Sequence, residues 1–198
     1  MRIALFGGTF DPVHYGHLRL AEEAREAAQL TRVLFMPAHI SPFRLGEYHS
    51  APHHRLQMLL LATRDNPHFE VSDHELQRGG ISYTVDTVRY LRAQHPNAEL
   101  YLIMGADTLA GFQRWRQPEV IAQECTLLVG VRPEYDLNAA LDSLPAAIRA
   151  RVHPVPMTPL GISASAIRDQ IRAGHSIRYL TPPDVIEYII RNRLYVEP

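Results

Sequence analysis

Short apolar runs alternate with segments of helical periodicity along this chain. The apolar runs end at glycine, proline or polar residues, and they predict buried strands at 3–6, 32–36, 69–72, 100–104, 125–131 and 152–155. Aliphatic residues at helical spacing predict helices at about 16–29, 53–63, 84–94, 138–151 and 163–173, with a last helix from 182 onward. The proline-containing segment 37–52 lacks either periodicity and predicts an exposed loop.

The two helices nearest the C-terminus have start and stop signals. Gly174 follows the first of them and predicts its end. Thr181 is a candidate N-cap of the second helix, with Pro182 in its first turn. The inward face of this last helix is predicted to consist of Ile186, Ile189 and Ile190.

Strands that alternate with helices predict an α/β fold. We expect a Rossmann-like, doubly wound parallel sheet in a single domain over residues 1–198, with helices at the C-terminus. Ligands of such sheets bind beyond the carboxyl ends of the strands. Polar segments that directly follow a strand are therefore the first candidates for a binding site.

The basic residues narrow the chemistry. The chain has 198 residues and a net charge of −1, and all 20 of its basic residues are arginine. Without lysine, a Schiff base, a lysyl-adenylate intermediate and a Walker phosphate loop are excluded. An anionic ligand would have to be held by arginine, histidine, backbone N–H groups or a metal ion.

Composition also bears on partners and location. A near-neutral charge argues against nucleic acid and membrane surfaces as partners, because both favour a basic excess. Cys125, the only cysteine, is predicted to be inert core and fits a reducing, cytoplasmic setting. No apolar run is long enough for a membrane span or a signal peptide. His49, His53 and His54 are interpreted as solvated side chains, not as metal ligands.

The first motif reads Gly-Gly-Thr-Phe-Asp-Pro-Val-His-Tyr-Gly-His at 7–17, directly after the first predicted strand. Its glycines let the backbone approach a ligand closely. His14 and His17 lie three residues apart at a helix start, so both imidazoles can point into the crevice, with Gly16 leaving space for a ligand between them. Imidazoles beside free N–H groups suit a triphosphate. Two loop histidines without a role are the alternative, and a zinc site lacks an obvious third ligand.

The second motif reads Ile-Ser-Ala-Ser-Ala-Ile-Arg at 162–168. Ser163 is a natural N-cap, Ser165 falls in the first turn, and Arg168 lies about one turn further on. Hydroxyl groups, helix N–H groups and a guanidinium would thus meet at one helix start and form a second anion site.

Together the two motifs resemble those of the nucleotidyltransferase superfamily of adenylyl- and cytidylyltransferases. More closely, residues 1–195 resemble the bacterial nicotinate-nucleotide adenylyltransferases. The segments behind this closer resemblance are 36–39 with Pro42 and Arg44, 82–87, 105–109 with Trp115, 131–133, and 188–195. The resemblance implies that the chain joins ATP and nicotinate mononucleotide into nicotinate adenine dinucleotide and pyrophosphate, in NAD biosynthesis, with Mg²⁺ accompanying ATP.

The resemblance also implies the site residues. His14, His17 and Arg168 would act in catalysis. Contacts to ATP would come from Gly7, Gly8, Thr9, Phe10, Arg44, Gly105, Asp107, Ile162, Ser163 and Ser165. Contacts to the mononucleotide would come from Thr84, Trp115, Arg116 and Arg132. Trp115 would stack on the pyridine ring, whose carboxylate would be held mainly by backbone N–H groups near Thr84 and Arg116. No metal ligand is expected from the protein, and a homo-oligomer is left open.

The chain departs from the family pattern in two places. The long loop usually reads Pro-Pro-His followed by Lys or Arg, but here Phe43 precedes Arg44, so a histidine contribution is absent. The C-terminal motif usually reads Ile-Ser-Ser-Thr, but here Ala164 lacks a hydroxyl and Ser165 stands where threonine is usual.

Three alternatives stay open at this point. A phosphopantetheine adenylyltransferase shares both motifs, although it is typically shorter and lacks the Ser-Tyr-Thr segment. A related enzyme could prefer nicotinamide mononucleotide. A non-catalytic nucleotide-binding module could share the fold, although the intact His14, His17 and Arg168 count against it.

Overall fold

A computed structural model describes residues 1–47, 49–133 and 135–196. Within them, one parallel sheet consists of β1 (Arg2–Gly8), β2 (Arg32–Pro37), β3 (Phe69–Val71), β4 (Glu99–Gly105), β5 (Cys125–Val131) and β6 (Val152–Pro156). The strand order is β3-β2-β1-β4-β5-β6, so the direction of winding reverses between β1 and β4. The predicted α/β fold with a Rossmann-like, doubly wound sheet is confirmed.

Helices connect the strands and complete the chain. They are α1 (Tyr15–Ala28), α2 (Pro52–Thr63), α3 (His74–Arg78), α4 (Thr84–Gln94), α5 (Ala106–Leu109), α6 (Pro118–Glu124), α7 (Leu137–Asp142), α8 (Ala146–Arg149), α9 (Ala164–Arg172) and α10 (Pro183–Arg191), with a 3₁₀ turn at Phe112–Arg114. None of the helices in the described residues is both long enough and apolar enough to cross a bilayer.

The core lies in two layers, one on each face of the sheet. Successive side chains of a strand point to opposite faces, so Ile3 and Leu5 of β1 enter one layer and Ala4 and Phe6 the other. Side chains from α4, α6, α7 and α8 cover the first layer. Those from α1, α2, α9 and α10 cover the second. Because both faces are covered, the strands read as continuous apolar runs.

Three predictions about helices were wrong. The helix predicted at 138–151 is the pair α7 and α8, because Pro145 cannot continue a helix. Thr181 is not the N-cap of α10, which begins at Pro183; its buried hydroxyl donates instead to the carbonyl of Val13, at 2.7 Å. Ile190 is 69% exposed rather than inward-facing, so the buried side of α10 is formed by other apolar residues.

The side chains outside the site are also more constrained than expected. Cys125 is buried, as predicted, and burial raises the pKa of its thiol to about 12. Of the three histidines interpreted as solvated, His53 is exposed, whereas His49 and His54 are partly buried and contact other side chains. The Nδ1 atom of His54 lies 2.8 Å from the hydroxyl of Tyr188, and the Nδ1 atom of the largely buried His49 lies 3.6 Å from the carboxylate of Asp11.

Candidate active site

A cleft of about 660 Å³ lies at the carboxyl ends of the strands, around the point where the winding reverses. Both sequence motifs line it, through Gly7, Gly8, Thr9, Phe10, His14, Gly16 and His17 from the first and Ile162, Ser163, Ala164, Ser165 and Arg168 from the second. Further predicted residues that line the same cleft are Arg44, Thr84, Gly105, Asp107, Trp115 and Arg132. The structure therefore brings together residues from nearly the whole chain.

The turn after β1 brings backbone to the cleft floor. Phe10 adopts a left-handed conformation, with φ of 52°, and its ring lies beneath Gly8. A Cβ atom at Gly8 would come within 2.9 Å of that ring. Glycine is thus required at this position by close packing, and the buried Phe10 supports the floor from the core side.

The two imidazoles of the first motif stack on each other. Their ring centroids are 3.6 Å apart and their planes are inclined by 22°. A Cβ atom at Gly16 would lie 3.0 Å from Nδ1 of His14, so the space beside Gly16 holds the His14 ring. The expectation that Gly16 leaves room for a ligand between the two rings was therefore wrong.

The backbone fixes the proton position on His17. The N–H of His14, the N-cap residue of α1, donates to Nδ1 of His17 at 3.3 Å. An imidazole whose Nδ1 accepts a hydrogen bond has its proton on Nε2 when it is neutral. The geometry therefore leaves Nε2–H of His17 as the donor available to a ligand.

Both imidazoles are uncharged at neutral pH. Burial lowers the pKa of His14 to about 4. Burial also lowers the pKa of His17 well below its ordinary value, and the neighbouring His14 lowers it further. The pair thus offers neutral hydrogen-bond donors to an incoming anion, rather than two fixed positive charges.

We expect acid to destabilise the fold through this pair. The unfolded chain binds a proton at His14 near its ordinary pKa of 6.5, whereas the folded chain binds it only near pH 4. Since the unfolded state binds more protons between these values, the free energy of unfolding falls as pH drops through that window. From pH 7 to pH 5, the loss from His14 is about 2 kcal/mol.

Urea unfolding at both pH values measures this loss, and the variant His14→Asn isolates it from other titrating groups. We expect the variant to lose about 2 kcal/mol less than the wild type between pH 7 and pH 5. Equal losses in the two proteins would show that His14 does not titrate below its ordinary range.

Asp11 joins the two motifs to the C-terminal segment. Its carboxylate accepts hydrogen bonds from the hydroxyl of Tyr195, at 2.6 Å, and from the N–H of Ser50, at 3.0 Å. Its carbonyl accepts a hydrogen bond from the guanidinium of Arg168, at 2.7 Å. Burial, together with the Asp11 carboxylate, raises the pKa of Tyr195, so its hydroxyl stays a donor. Arg168 is thereby fixed against the first motif.

Arg55 of α2 stabilises the loops that border the cleft through hydrogen bonds to their carbonyl groups. Its guanidinium is buried and donates to three carbonyl oxygens, those of Ser50 at 3.1 Å, Thr9 at 2.9 Å and His39 at 3.3 Å. Sequence reasoning missed Arg55, because a single arginine in a leucine-rich helix looks like a solvent-facing residue. Its one available signal was its place between apolar neighbours on the buried side of that helix.

The second motif forms the start of α9. Ser163 is the N-cap, as predicted, and its hydroxyl oxygen accepts from the N–H of Ala166 at 3.2 Å. The hydroxyl of Ser165 lies 3.2 Å from that of Ser163. Both hydroxyls and the guanidinium of Arg168 border the cleft, so one helix start presents several donors to the same space.

The opposite end of the cleft is aromatic. The half-buried Trp115 packs on the buried ring of Phe112, with centroids 5.2 Å apart, and also lines the cleft. The exposed Phe43 of the long loop also lies near Trp115, with ring centroids 5.9 Å apart. Trp115 is therefore anchored by the core and also available to a ligand in the cleft.

A buried carboxyl group supports the turn at this aromatic end. Glu75 accepts a hydrogen bond from the hydroxyl of Thr87, and burial raises its pKa. The hydroxyl of Ser82, in the same turn, accepts from the N–H of His39 at 3.0 Å. These contacts fix the start of α4, where Thr84 lines the cleft. Glu75 was also missed, because it lies in a short helix without periodicity.

The predicted arginines differ in placement. The guanidinium of Arg116 lies over the ring of Tyr83, 4.7 Å from its centroid, so the structure does not bring this side chain to the cleft. An aromatic face attracts the cation there. Arg114 lines the cleft instead. Arg44 does line it, and its guanidinium lies 3.3 Å from the carboxylate of Glu47 in the same loop.

Residues after β4 and β5 complete the lining. Gly105 is the N-cap of α5, and Asp107 lies exposed in its first turn. Arg132 follows β5 directly and is exposed. In the described part of the chain, no three His, Cys, Asp or Glu residues are grouped to hold a metal ion. The cleft thus combines neutral imidazoles and donors at one end with aromatic rings at the other.

Comparison with known proteins agrees with this geometry. The family model described as cytidylyltransferase-like matches residues 5–170. A probable nicotinate-nucleotide adenylyltransferase of Thermomicrobium roseum is 45% identical over 98% of this chain and 91% of its own length. One of Dictyoglomus turgidum is 42% identical over 100% of this chain and 97% of its own.

A solved structure shows the same fold. The nicotinic acid mononucleotide adenylyltransferase of Plasmodium falciparum, complexed with NaAD, aligns with a TM-score of 0.79. The alignment covers 98% of this chain and 97% of that one, at 20% sequence identity.

Proposed function

This chain belongs to the family of nicotinate-nucleotide adenylyltransferases, and from that premise we propose that its cleft transfers the adenylyl group of ATP to nicotinate mononucleotide, in NAD biosynthesis. The products are nicotinate adenine dinucleotide and pyrophosphate. The observation that supports this best is that both nucleotide motifs line the same cleft as Thr84 and Trp115. The donors suit phosphates, and the aromatic end suits a pyridinium ring.

The chemistry needs no covalent intermediate. A 5′-phosphate oxygen of the mononucleotide bonds to the α-phosphorus of ATP, and the bond from that phosphorus to the oxygen bridging the β-phosphate breaks. Pyrophosphate leaves with the electron pair. A phosphate oxygen is already a nucleophile, so catalysis depends on positioning and on stabilising charge on the phosphate oxygens. The absence of lysine is compatible with this mechanism.

The hydrogen-bond donors at the phosphate end of the cleft bind different phosphate groups. Nε2–H of His17 donates to oxygens of the α- and β-phosphates as charge develops there, and His14 supports that ring by stacking on it. Arg168, fixed by its bond to the Asp11 carbonyl, and Arg44, from the long loop, hold the leaving pyrophosphate. The hydroxyl of Ser163 and the start of α9 bind the same phosphates.

Mg²⁺ enters as part of the ATP substrate. The carboxylate of Asp11 is already occupied by Tyr195 and Ser50, and that of Glu75 by Thr87. Of the acidic residues that line the cleft, this leaves Asp107 at the exposed mouth. One carboxylate fits a Mg²⁺ ion that is held mainly by substrate phosphates and water, rather than by a protein cage.

Trp115 binds the mononucleotide. We expect Trp115→Ala to raise KM for nicotinate mononucleotide about tenfold, because an indole face attracts a pyridinium cation. The KM for ATP should change less than twofold, since ATP lies at the other end. Initial rates with each substrate varied in turn measure both constants, with Trp115→Phe as the control that retains an aromatic face. An unchanged KM for the mononucleotide would assign Trp115 to the core alone.

One assay tests the proposed function against its alternatives. Pyrophosphate release from ATP is measured with nicotinate mononucleotide, nicotinamide mononucleotide or phosphopantetheine as the acceptor. We expect the highest kcat/KM with nicotinate mononucleotide. A higher value with either of the other acceptors would replace the proposed substrate, and no release with any of the three would favour a non-catalytic module.

A further inference from the structure

Phe43 is a large apolar residue that the core does not use. It is 52% exposed, although it lies in a loop whose neighbouring segments are anchored. The N–H of Ser82 donates to the carbonyl of Ile40 at 2.9 Å, and Ile40 also forms a bridge with Ile81. These contacts tie the base of the loop to the turn before α4. Phe43 itself lines the cleft beside Trp115.

Within the part of the chain that the structure describes, the aromatic neighbour of the Phe43 ring is Trp115. Their centroids are 5.9 Å apart and their planes are inclined by 40°. The fully buried Phe112 also packs against Trp115, at 5.2 Å between ring centroids, so the indole contacts one ring of the core and one exposed ring of the loop. A ring placed between two others needs about 7 Å between the outer rings, twice the usual carbon–carbon contact distance. The present spacing is about 1 Å too short for that.

From this geometry we propose that Phe43 is a specificity-determining residue that lies against Trp115 in the cleft and closes on the flat pyridinium ring of the mononucleotide. The inference rests on the proposed function. The ring of the substrate displaces Phe43 by about 1 Å and is then held between two aromatic faces. A phenyl ring has no charge and no hydrogen-bonding group. Phe43 therefore favours a flat aromatic cation but does not discriminate between substituents on the pyridinium ring.

Phe43 stands where the family pattern described above has histidine. An aromatic residue beside Trp115 at this position is therefore a feature of the present sequence. A histidine there could become protonated and repel a pyridinium cation, which phenylalanine cannot do. Arg44 follows directly and also lines the cleft, and the proposed function assigns it to the leaving pyrophosphate while Phe43 would contact the pyridinium ring. One short loop segment would then contact both ends of the reaction.

Trp115 gives a direct readout, because it is the only tryptophan in the chain. We expect Phe43→Ala to shift its emission to longer wavelength in the free protein, since the indole face becomes wet. Titration with nicotinate mononucleotide, followed by the same emission, should give a Kd three- to tenfold above that of the wild type, the range expected for about one aromatic contact. Phe43→Tyr should restore the wild-type Kd, and Phe43→Leu should restore only part of it.

Leu45 supplies a matched control in the same loop. It is 60% exposed and does not line the cleft, so Leu45→Ala should leave emission, Kd and both KM values unchanged. For Phe43→Ala, KM for the mononucleotide should rise with Kd, while KM for ATP stays within twofold. A Kd equal to that of the wild type overturns the inference, as does an equal rise in both KM values. If the wild type forms no dinucleotide from nicotinate mononucleotide, the proposed function itself fails.

Discussion

Replacing His17 with alanine is expected to lower kcat about 100-fold or more, on the scale of one lost donor to a charged transition state. The reason is specific to this site. The N–H of His14 occupies Nδ1 of His17, so the ring presents one donor, Nε2–H, and alanine removes it. Burial keeps the imidazole neutral in the free enzyme, and its value as a donor grows only as the phosphates approach. The effect should therefore fall on kcat more than on either KM.

Steady-state rates with both substrates saturating measure the effect. His153→Ala is the matched control, since His153 is exposed on β6 and does not line the cleft. The His17 ring also packs edge-on against Phe10, at 5.0 Å, so loss of the ring could disturb the floor. Mononucleotide binding, followed through Trp115 emission, checks this, because the aromatic end should bind normally. A variant that turns over within threefold of the wild type would remove His17 from catalysis.

The sequence predicted most of the framework because the framework depends on apolar pattern. Strands buried on both faces appear as uninterrupted apolar runs, and β5 and α4 have the bounds that the pattern predicted. The sequence pattern did not predict the short helices α3, α5 and α6, because a helix of fewer than eight residues contains too little periodicity. The break between α7 and α8 was visible as Pro145, but the aliphatic spacing on both sides concealed it.

The site was predictable where one motif contained its own geometry. His14 and His17 are three residues apart at a helix start, so their proximity followed from local structure. Their direct stacking did not follow, because it depends on how closely the rings approach over Gly16. Arg116 shows the same limit: its neighbour in space, Tyr83, is 33 residues away in the chain, and that contact draws the guanidinium from the cleft.

Polar contacts between residues far apart in the chain were the hardest feature to predict from the sequence. Asp11 reads as one residue of a loop motif, yet it contacts Tyr195, Ser50 and Arg168 through its carboxylate and carbonyl. The spacing of these residues along the chain does not predict these contacts. Such groups are satisfied in the interior because an unpaired buried polar group is costly, and which groups meet is decided by the fold.

Of these buried long-range polar contacts, those of Arg55 should contribute most to the free energy of unfolding. We expect Arg55→Met to lower the free energy of unfolding by about 3–5 kcal/mol, because it removes the donors of three carbonyl groups at the centre of the loops. Methionine fills part of the volume, so the loss reports mainly on the hydrogen bonds. Arg55→Lys retains a positive charge but cannot reach three carbonyls in a plane, and it should recover only part of the loss.

Urea unfolding at pH 7 measures these changes, with Arg64→Met as the matched control just beyond the same helix. The exposed Arg64 pairs with Asp184 at 2.6 Å, and loss of such a surface pair should cost at most about 1 kcal/mol. If Arg55→Met and Arg64→Met cost the same, the three carbonyl contacts contribute nothing beyond a surface pair. If Arg55→Lys is as stable as the wild type, charge alone accounts for the role of Arg55. The expected order, with Met lowest, Lys intermediate and the Arg64 variant near the wild type, requires the planar fork of a guanidinium at this one buried position.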